Sequence, residues 1–388
     1  MTNYYKQLIV ITTLLLLAVY QTEARNKPAE RPRVLISSDI GGTRPADSKR
    51  TATASSFTVF TPNDASDHYA NGVVLTAFRG QLYCMWQSSP TDEDSDDTWV
   101  AYSCSADGGQ TWTPPTALAQ PNDTAYCTSG GWLVTGDTLT ALIDVWPKGL
   151  EPRGGYTSYI CSLDGRSWTS PHPVLMADGT PMAGVLEQAP YSTAAGRLVG
   201  ACHFQPGLHV CPVYTDDPTG RSGWRRGLFS CEGNAKQSRC LEPSQYVAGD
   251  GTIVMTFRDQ QSTFRKMISC SRDGGQTWTA PVVTTLLDAR TKQCAGNLPD
   301  GTAFMVSCPS GQKQRWPLVL QLSLDGYTFD RRILLRSEAE LPPRRYDGKA
   351  KTLGYSYPKA IVYDGYLYVG YSVNKESVAC TRIAINRF

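Results

Sequence analysis

Short apolar runs recur along this chain, each closed off before a helical stripe can develop. They include Val73-Val74-Leu75, Leu82-Tyr83-Cys84-Met85-Trp86, Leu139-Thr140-Ala141-Leu142-Ile143, Leu198-Val199-Gly200-Ala201-Cys202 and Ile253-Val254-Met255-Thr256-Phe257. Further runs are Ala303-Phe304-Met305-Val306, Ala360-Ile361-Val362-Tyr363 and Tyr366-Leu367-Tyr368-Val369. Gly, Pro, Asn and Asp bound most of them, a pattern that predicts strands joined by tight turns. One turn repeats almost verbatim. Ser105-Ala106-Asp107-Gly108-Gly109-Gln110-Thr111-Trp112 returns as Ser271-Arg272-Asp273-Gly274-Gly275-Gln276-Thr277-Trp278. Shorter copies begin at Ser162 and Ser323, and a degenerate one runs from Thr215 to Trp224. The Asp side chain can bond backbone N–H groups across the loop, and Gly supplies the positive φ angles. The aromatic is expected to fold under the turn and pack between sheets.

The spacing of these turns predicts the architecture. Ser105 and Ser162 lie 57 residues apart, and Ser271 and Ser323 lie 52 apart. The gap between Ser162 and Ser271 is 109, room for two such units, with the degenerate copy inside it. A repeating unit of this length built of short strands predicts a four-stranded propeller blade. Five turns and the final strand pair predict an all-β, six-bladed β-propeller over residues 56–388. An N-terminal stretch, residues 25–55, is expected to hold one strand at Arg33–Ile36 and to close the last blade, protecting its edge.

Composition narrows the setting. The 388 residues suit one large all-β domain, and a net charge of +2 implies no nucleic-acid partner. Lys6, the apolar run Leu8–Ala18 and the small residue Ala24 predict a cleaved signal peptide over residues 1–24, without stable membrane insertion. The mature protein is expected to be periplasmic or extracellular, and monomeric. Most of its 12 cysteines are expected to be buried thiols, because Cys104, Cys161 and Cys270 occupy one repeated strand position. No CxxC, HxH or HExxH spacing occurs, so neither a metal site nor a cofactor is expected. Asp92-Glu93-Asp94-Ser95-Asp96-Asp97 reads as a solvated loop, with Ca²⁺ binding as the other reading.

The repeated turns resemble the Asp-boxes of sialidases and related propellers, where they are structural and stand away from the active site. The segment Cys240-Leu241-Glu242-Pro243-Ser244-Gln245, with the strand ending at Arg258, resembles the sialidase stretch in which a Glu precedes a strand and an Arg ends it. That resemblance implies Glu242 as the residue polarising a nucleophilic Tyr, and Arg258 as a substrate-carboxylate ligand. Arg315 matches a second such Arg. In Gly354-Tyr355-Ser356-Tyr357-Pro358, Tyr355 resembles the nucleophile, with Tyr357 as the alternative. The front of the chain departs from the family. Asp67-His68-Tyr69-Ala70-Asn71-Gly72 carries no Arg where sialidases open with Arg-Ile-Pro, and the slot of the acid/base Asp falls at Trp86-Gln87-Ser88. This departure is similar to secreted gut-bacterial propellers that use a His on uronate-containing glycans. His68 and Gln87 therefore join the catalytic candidates, and Asn71, Lys292 and His203 the substrate-binding ones.

The chemistry is self-consistent. An Arg fork takes a sugar carboxylate through paired hydrogen bonds. A Tyr hydroxyl, with an ordinary pKa of about 10, needs a carboxylate base to act as a nucleophile. The resemblance implies an exo-acting glycoside hydrolase for a glycan end bearing a sialic or uronic acid. A uronate-directed lyase and a non-catalytic glycan-binding propeller are the alternatives.

Overall fold

Each apolar run becomes the first or second strand of an antiparallel sheet, and six such sheets form a ring, five of four strands and one whose innermost position is split between two short strands. The computed structural model describes the backbone of residues 35–36 and residues 54–186, 188–229, 241–258 and 263–388. The signal-peptide stretch lies outside the described residues, and among them no helix is long and apolar enough to cross a membrane.

Blade 1 comprises Tyr69–Phe78, Gln81–Ser89, Trp99–Ser105 and Thr116–Ala119. Blade 2 comprises Ala125–Thr135, Thr138–Pro147, Tyr156–Ser162 and His172–Pro173. In blade 3 the inner position is split between Gly184–Val185 and Tyr191–Ser192, followed by Leu198–Phe204, His209–Thr215 and Arg225–Arg226. Blade 4 runs through Leu241–Val247, Ile253–Arg258, Arg265–Ser271 and Val282–Leu287. Blade 5 runs through Cys294–Asn297, Ala303–Ser307, Leu318–Ser323 and Arg331–Arg336. Blade 6 takes Tyr355–Tyr363, Tyr366–Val373 and Ser377–Ala384 from the end of the chain. Its fourth strand is Ser55–Phe60, paired to Ser377–Ala384 with Phe57 opposite Cys380. The closing strand is thus Ser55–Phe60, which straddles the expected boundary at residue 55. Leu35–Ile36 instead pairs in parallel with Thr328–Phe329.

The core is divided into slabs between blades, one for each junction. Met85 and Val100 of blade 1 meet Trp132 and Ile143 of blade 2. Equivalent clusters join blades 2 and 3 around Trp224, blades 3 and 4 around Trp278, and blades 4 and 5 around Phe329. Blades 5 and 6 meet around Leu320 and Tyr371, and blades 6 and 1 around Trp86 and Cys380. The repeated turns explain why aromatics sit there. Asp273 accepts the N–H groups of Gln276 and Thr277 at 3.0 and 2.8 Å and the Thr277 hydroxyl at 2.5 Å. This tightens the loop, and the Trp278 indole N–H then reaches Gly275 O at 2.9 Å. Trp112 and Trp224 make the same indole bond, to Gly109 O and Gly220 O, each at 2.9 Å. The degenerate copy therefore tucks its Trp in the same way, across a loop one residue longer. Cys84, Cys127, Cys270, Cys294, Cys308 and Cys380 are buried thiols.

Two consequences follow from these turns. Trp278→Ala empties the slab between blades 3 and 4 and should cost about 3–5 kcal/mol in a denaturant titration. Asp107 shows the pH effect: hydrogen bonds from the Thr111 hydroxyl and backbone N–H hold its carboxyl down at about 2. A depressed folded pKa stabilises above the unfolded value and loses that stabilisation as pH falls toward the folded one. Acid titration of the wild type should show stability falling between about pH 4 and pH 2, and Asp107→Asn should flatten that slope.

Candidate active site

Antiparallel alternation sends the turn between strands 1 and 2 and the Asp-box turn between strands 3 and 4 to one rim of the ring. The start of each inner strand and the link between strands 2 and 3 go to the other. Four blades place chemistry at this second rim. Blade 4 gives Glu242 from its inner strand and Arg258 from the end of its second. Blade 6 gives Tyr357 from its inner strand and Lys375 from the link after its second. Blade 1 gives Tyr69 and Asn71 from its inner strand and Glu93 from the following link. Blade 5 gives Lys292 just before its inner strand and Arg315 from its own link.

The inner strands deliver these side chains by breaking their own ladders. Register shifts fall between Leu241 and Ser244 in blade 4, Ser356 and Lys359 in blade 6, and Asn71 and Val74 in blade 1. Each break holds a residue in the left-handed region: Glu242 at φ 54°, Tyr357 at φ 55° and Gly72 at φ 63°. Such a bulge re-aims its side chain out of the strand's alternation, and a non-glycine residue persists there only where its surroundings enforce it. At Gly354, with φ 120°, a Cβ would stand 2.6 Å from Arg315 O. Only glycine lets the two backbones meet, and Tyr355 N–H then donates to Arg315 O at 2.8 Å. This contact carries Arg315 to Ser356, whose Oγ it bonds at 2.8 Å.

Tyr357 is the centre of the group. Arg258 Nη1 bonds Glu242 Oε2 at 2.9 Å and reaches the Tyr357 hydroxyl at 3.4 Å. The Lys292 and Lys375 ammonium groups lie 5.2 and 5.6 Å from the Tyr357 ring centre, and the Arg315 guanidinium 5.6 Å. On the blade 1 side, Glu93 accepts Lys375 Nζ at 2.8 Å, the Tyr69 hydroxyl at 2.8 Å and Asn71 Nδ2 at 3.2 Å. Gln87 stands one step behind, donating to the Tyr69 oxygen at 3.1 Å. Among the described residues, four cations and two carboxylates thus surround one half-buried phenol, a balance suited to an anionic ligand.

Burial raises the Tyr357 pKa well above 10, and Glu242 and Glu93 add to this while Arg258 and Arg315 oppose it. The resting group is the neutral hydroxyl. Burial alone would raise Glu93, but the Lys375 ammonium and the Tyr69 hydroxyl hold it below its ordinary value. Lys375 is lowered by burial and by Arg315, against the pull of Glu93.

Of the candidates read from sequence, Glu242, Arg258, Arg315, Lys292, Tyr357 and Asn71 come together, with Gln87 behind them. Three stand elsewhere. Tyr355 is fully buried in the slab between blades 5 and 6, stacked edge-on against Tyr371, and donates to Ser337 O at 2.8 Å. His68 lies flat on Tyr346, 3.7 Å between ring centres, with Nε2 3.2 Å from Asn63 O. His203 is buried in the second strand of blade 3, where it meets the backbone of Glu242 and not the phenol: the Glu242 N–H points to its Nε2 at 3.4 Å. Tyr69, Glu93 and Lys375 join the site without having been singled out. The acidic run is solvated in part, with Asp94, Asp96 and Asp97 exposed, and its first three carboxylates take protein partners. Asp92 receives the N–H groups of Lys349 and Ala350, Glu93 holds Lys375, and Asp94 pairs with Arg153 at 2.7 Å. Among the described residues no group of three metal-ligating side chains occurs.

A cavity of about 280 Å³ opens further along the same inner strands, lined by Ser244, Gln245, Cys294, Asn297 and Lys359 among others. It does not include Glu242, Arg258 or Tyr357.

The fold has solved counterparts. A protein of unknown function from Dyadobacter fermentans aligns with TM-score 0.65 and 17% identity, over 86% of this chain and 100% of its own. The intramolecular trans-sialidase from Ruminococcus gnavus, solved with oseltamivir carboxylate, gives 0.64 and 15%, over 85% and 97%. Trypanosoma rangeli sialidase, solved with sialic acid, gives 0.57 and 15%, over 87% of this chain and 58% of that one. At these identities the likeness is one of fold. No functionally curated protein matches in sequence. The profile of the BNR repeat-like domain matches residues 80–369, most of the propeller. The chain belongs to that BNR repeat-like family and is a six-bladed member of the sialidase-like propeller superfamily.

Proposed function

We propose that this protein is an exported glycoside hydrolase that removes a carboxylate-bearing sugar, sialic or uronic, from a glycan end. The observation that supports this most is the Glu242–Arg258–Tyr357 contact set under three further cations. Arg258, Arg315 and Lys292 receive the sugar carboxylate through charge-assisted hydrogen bonds. Tyr357 attacks the anomeric carbon, and its proton passes to Glu242, because a phenol raised above its ordinary pKa does not ionise unaided. The glycosidic C–O bond breaks as the new C–O bond forms, and the departing oxygen takes a proton from Glu93. Water then releases the sugar, with Glu93 accepting the water's proton and Tyr357 recovering its own from Glu242.

Product analysis of purified protein on sialosides, rhamnose–glucuronate caps and uronate oligomers tests the reading. Release of a free acidic sugar by hydrolysis is the expected result. An unsaturated uronate would point to elimination, and saturable binding without product would leave a glycan-binding propeller. Tyr357→Phe should lower kcat/KM by about a hundredfold or more, whereas Tyr355→Phe should leave it near wild type and act on stability. Glu93 is held ionised in the free site, so it donates only from a minor protonated fraction. Hydrolysis of alkyl glycosides should therefore quicken as pH falls from about 7 to about 5. Aryl glycosides with acidic leaving groups should show little of that rise, and Glu93→Gln should abolish it.

A further inference from the structure

Lys266, in the third strand of blade 4, and Asp288, just after its fourth, form an ion pair at 2.9 Å whose side chains are 0% and 1% exposed. A buried pair of this kind persists only where hydrogen bonds satisfy what the pairing leaves over. The remaining contact is specific: Lys266 Nζ also donates to Gln293 Oε1 at 3.3 Å. That fixes which way a fully buried amide points. With its oxygen held by the ammonium, the Gln293 NH₂ faces away, donating to Glu242 O at 3.2 Å, Thr256 O at 3.1 Å and Thr256 Oγ1 at 3.2 Å. The reversed amide would set NH₂ against NH₃⁺ and an oxygen against two carbonyls. Glu242 O needs this donor because the register shift between Leu241 and Ser244 takes it out of the regular ladder. Gln293 replaces the missing rung, tying together the two strands that carry Glu242 and Arg258. The residue before it, Lys292, faces Tyr357.

We propose that Lys266 is a positioning residue: through the Gln293 amide it holds the Glu242 bulge and the 288–293 loop in the geometry that aims Glu242 and Lys292 at Tyr357. Its bearing on catalysis rests on the hydrolase reading given above. Its bearing on the bulge does not.

Removing Lys266 alone would strand a buried Asp288 carboxylate and endanger folding. The test therefore uses the neutral pair Lys266→Met/Asp288→Asn, with Gln293→Met and the triple variant. Amide hydrogen exchange on the full chain is expected to quicken about tenfold or more in peptides covering 241–247 and 288–293, and to stay unchanged in blades 1 and 2. On whichever substrate the wild type hydrolyses, kcat should fall about tenfold, with a smaller rise in KM because Arg258 and Arg315 still hold the carboxylate when Lys292 is loosened. Gln293→Met should reproduce both effects, and the triple variant should add nothing to it. Unchanged exchange at 241–247, or losses that simply multiply in the triple variant, would overturn the proposal. If the wild type turns over no glycoside but exchange at the bulge quickens as expected, the hydrolase reading fails and the positioning role stands.

Discussion

The site depends on broken β-ladders. In a regular strand the side chains alternate between the slabs on either side of a blade, and every backbone group is used by the neighbouring strand. Neither condition leaves a functional group aimed at the rim. The bulges at Glu242, Tyr357 and Gly72 suspend both at once. They release a carbonyl from pairing, turn one residue out of register, and need an outside donor to compensate. The donors come from adjoining elements, as when Gln293 serves Glu242 O or Ser129 Oγ serves Gly72 O. The rim is consequently built from mutual repairs between blades, and its geometry is a property of the ring.

That construction also explains its charge. Holding Glu242 and Glu93 near one phenol out of bulk water would be costly without cations, and Arg258 and Lys375 each take one carboxylate. Lys292 and Arg315 also stand near the phenol, so among the described residues four cations face two carboxylates where a ligand would sit. This clustering of charge is local, for the chain as a whole carries only +2.

Much of the fold was legible because turn chemistry and strand period are local. Ser-x-Asp-Gly specifies its own hydrogen bonds, and its spacing counts the blades. Glu242, Arg258 and Arg315 were legible because their neighbours follow a familiar order. Tyr355 and Tyr357 were not separable by pattern. They lie two apart, so a regular strand would turn both to one face, and only the bulge between Ser356 and Lys359 sends them apart. Glu93 and Lys375 were hidden for another reason. Each sits in a polar link that looks solvated by composition, and the partner that gives it meaning comes from the other end of the sequence. His68 stands apart from the group because a half-buried imidazole before a strand stacks as readily on a neighbouring tyrosine as it faces a rim.

The Glu93–Lys375 bond spans 282 residues, and Ser55–Phe60 completes the same blade that carries Lys375. Blades 1 and 6 are therefore not neighbours until the whole circle has folded. Contacts of such sequence separation form late, after the loop entropy of everything between them has been overcome. A nascent chain with four or five finished blades holds Arg258 and Glu242 but no Tyr357 and no closed rim. The clustered rim thus arrives in one step with ring closure, and the same contact that joins its two sides also certifies that the circle is complete.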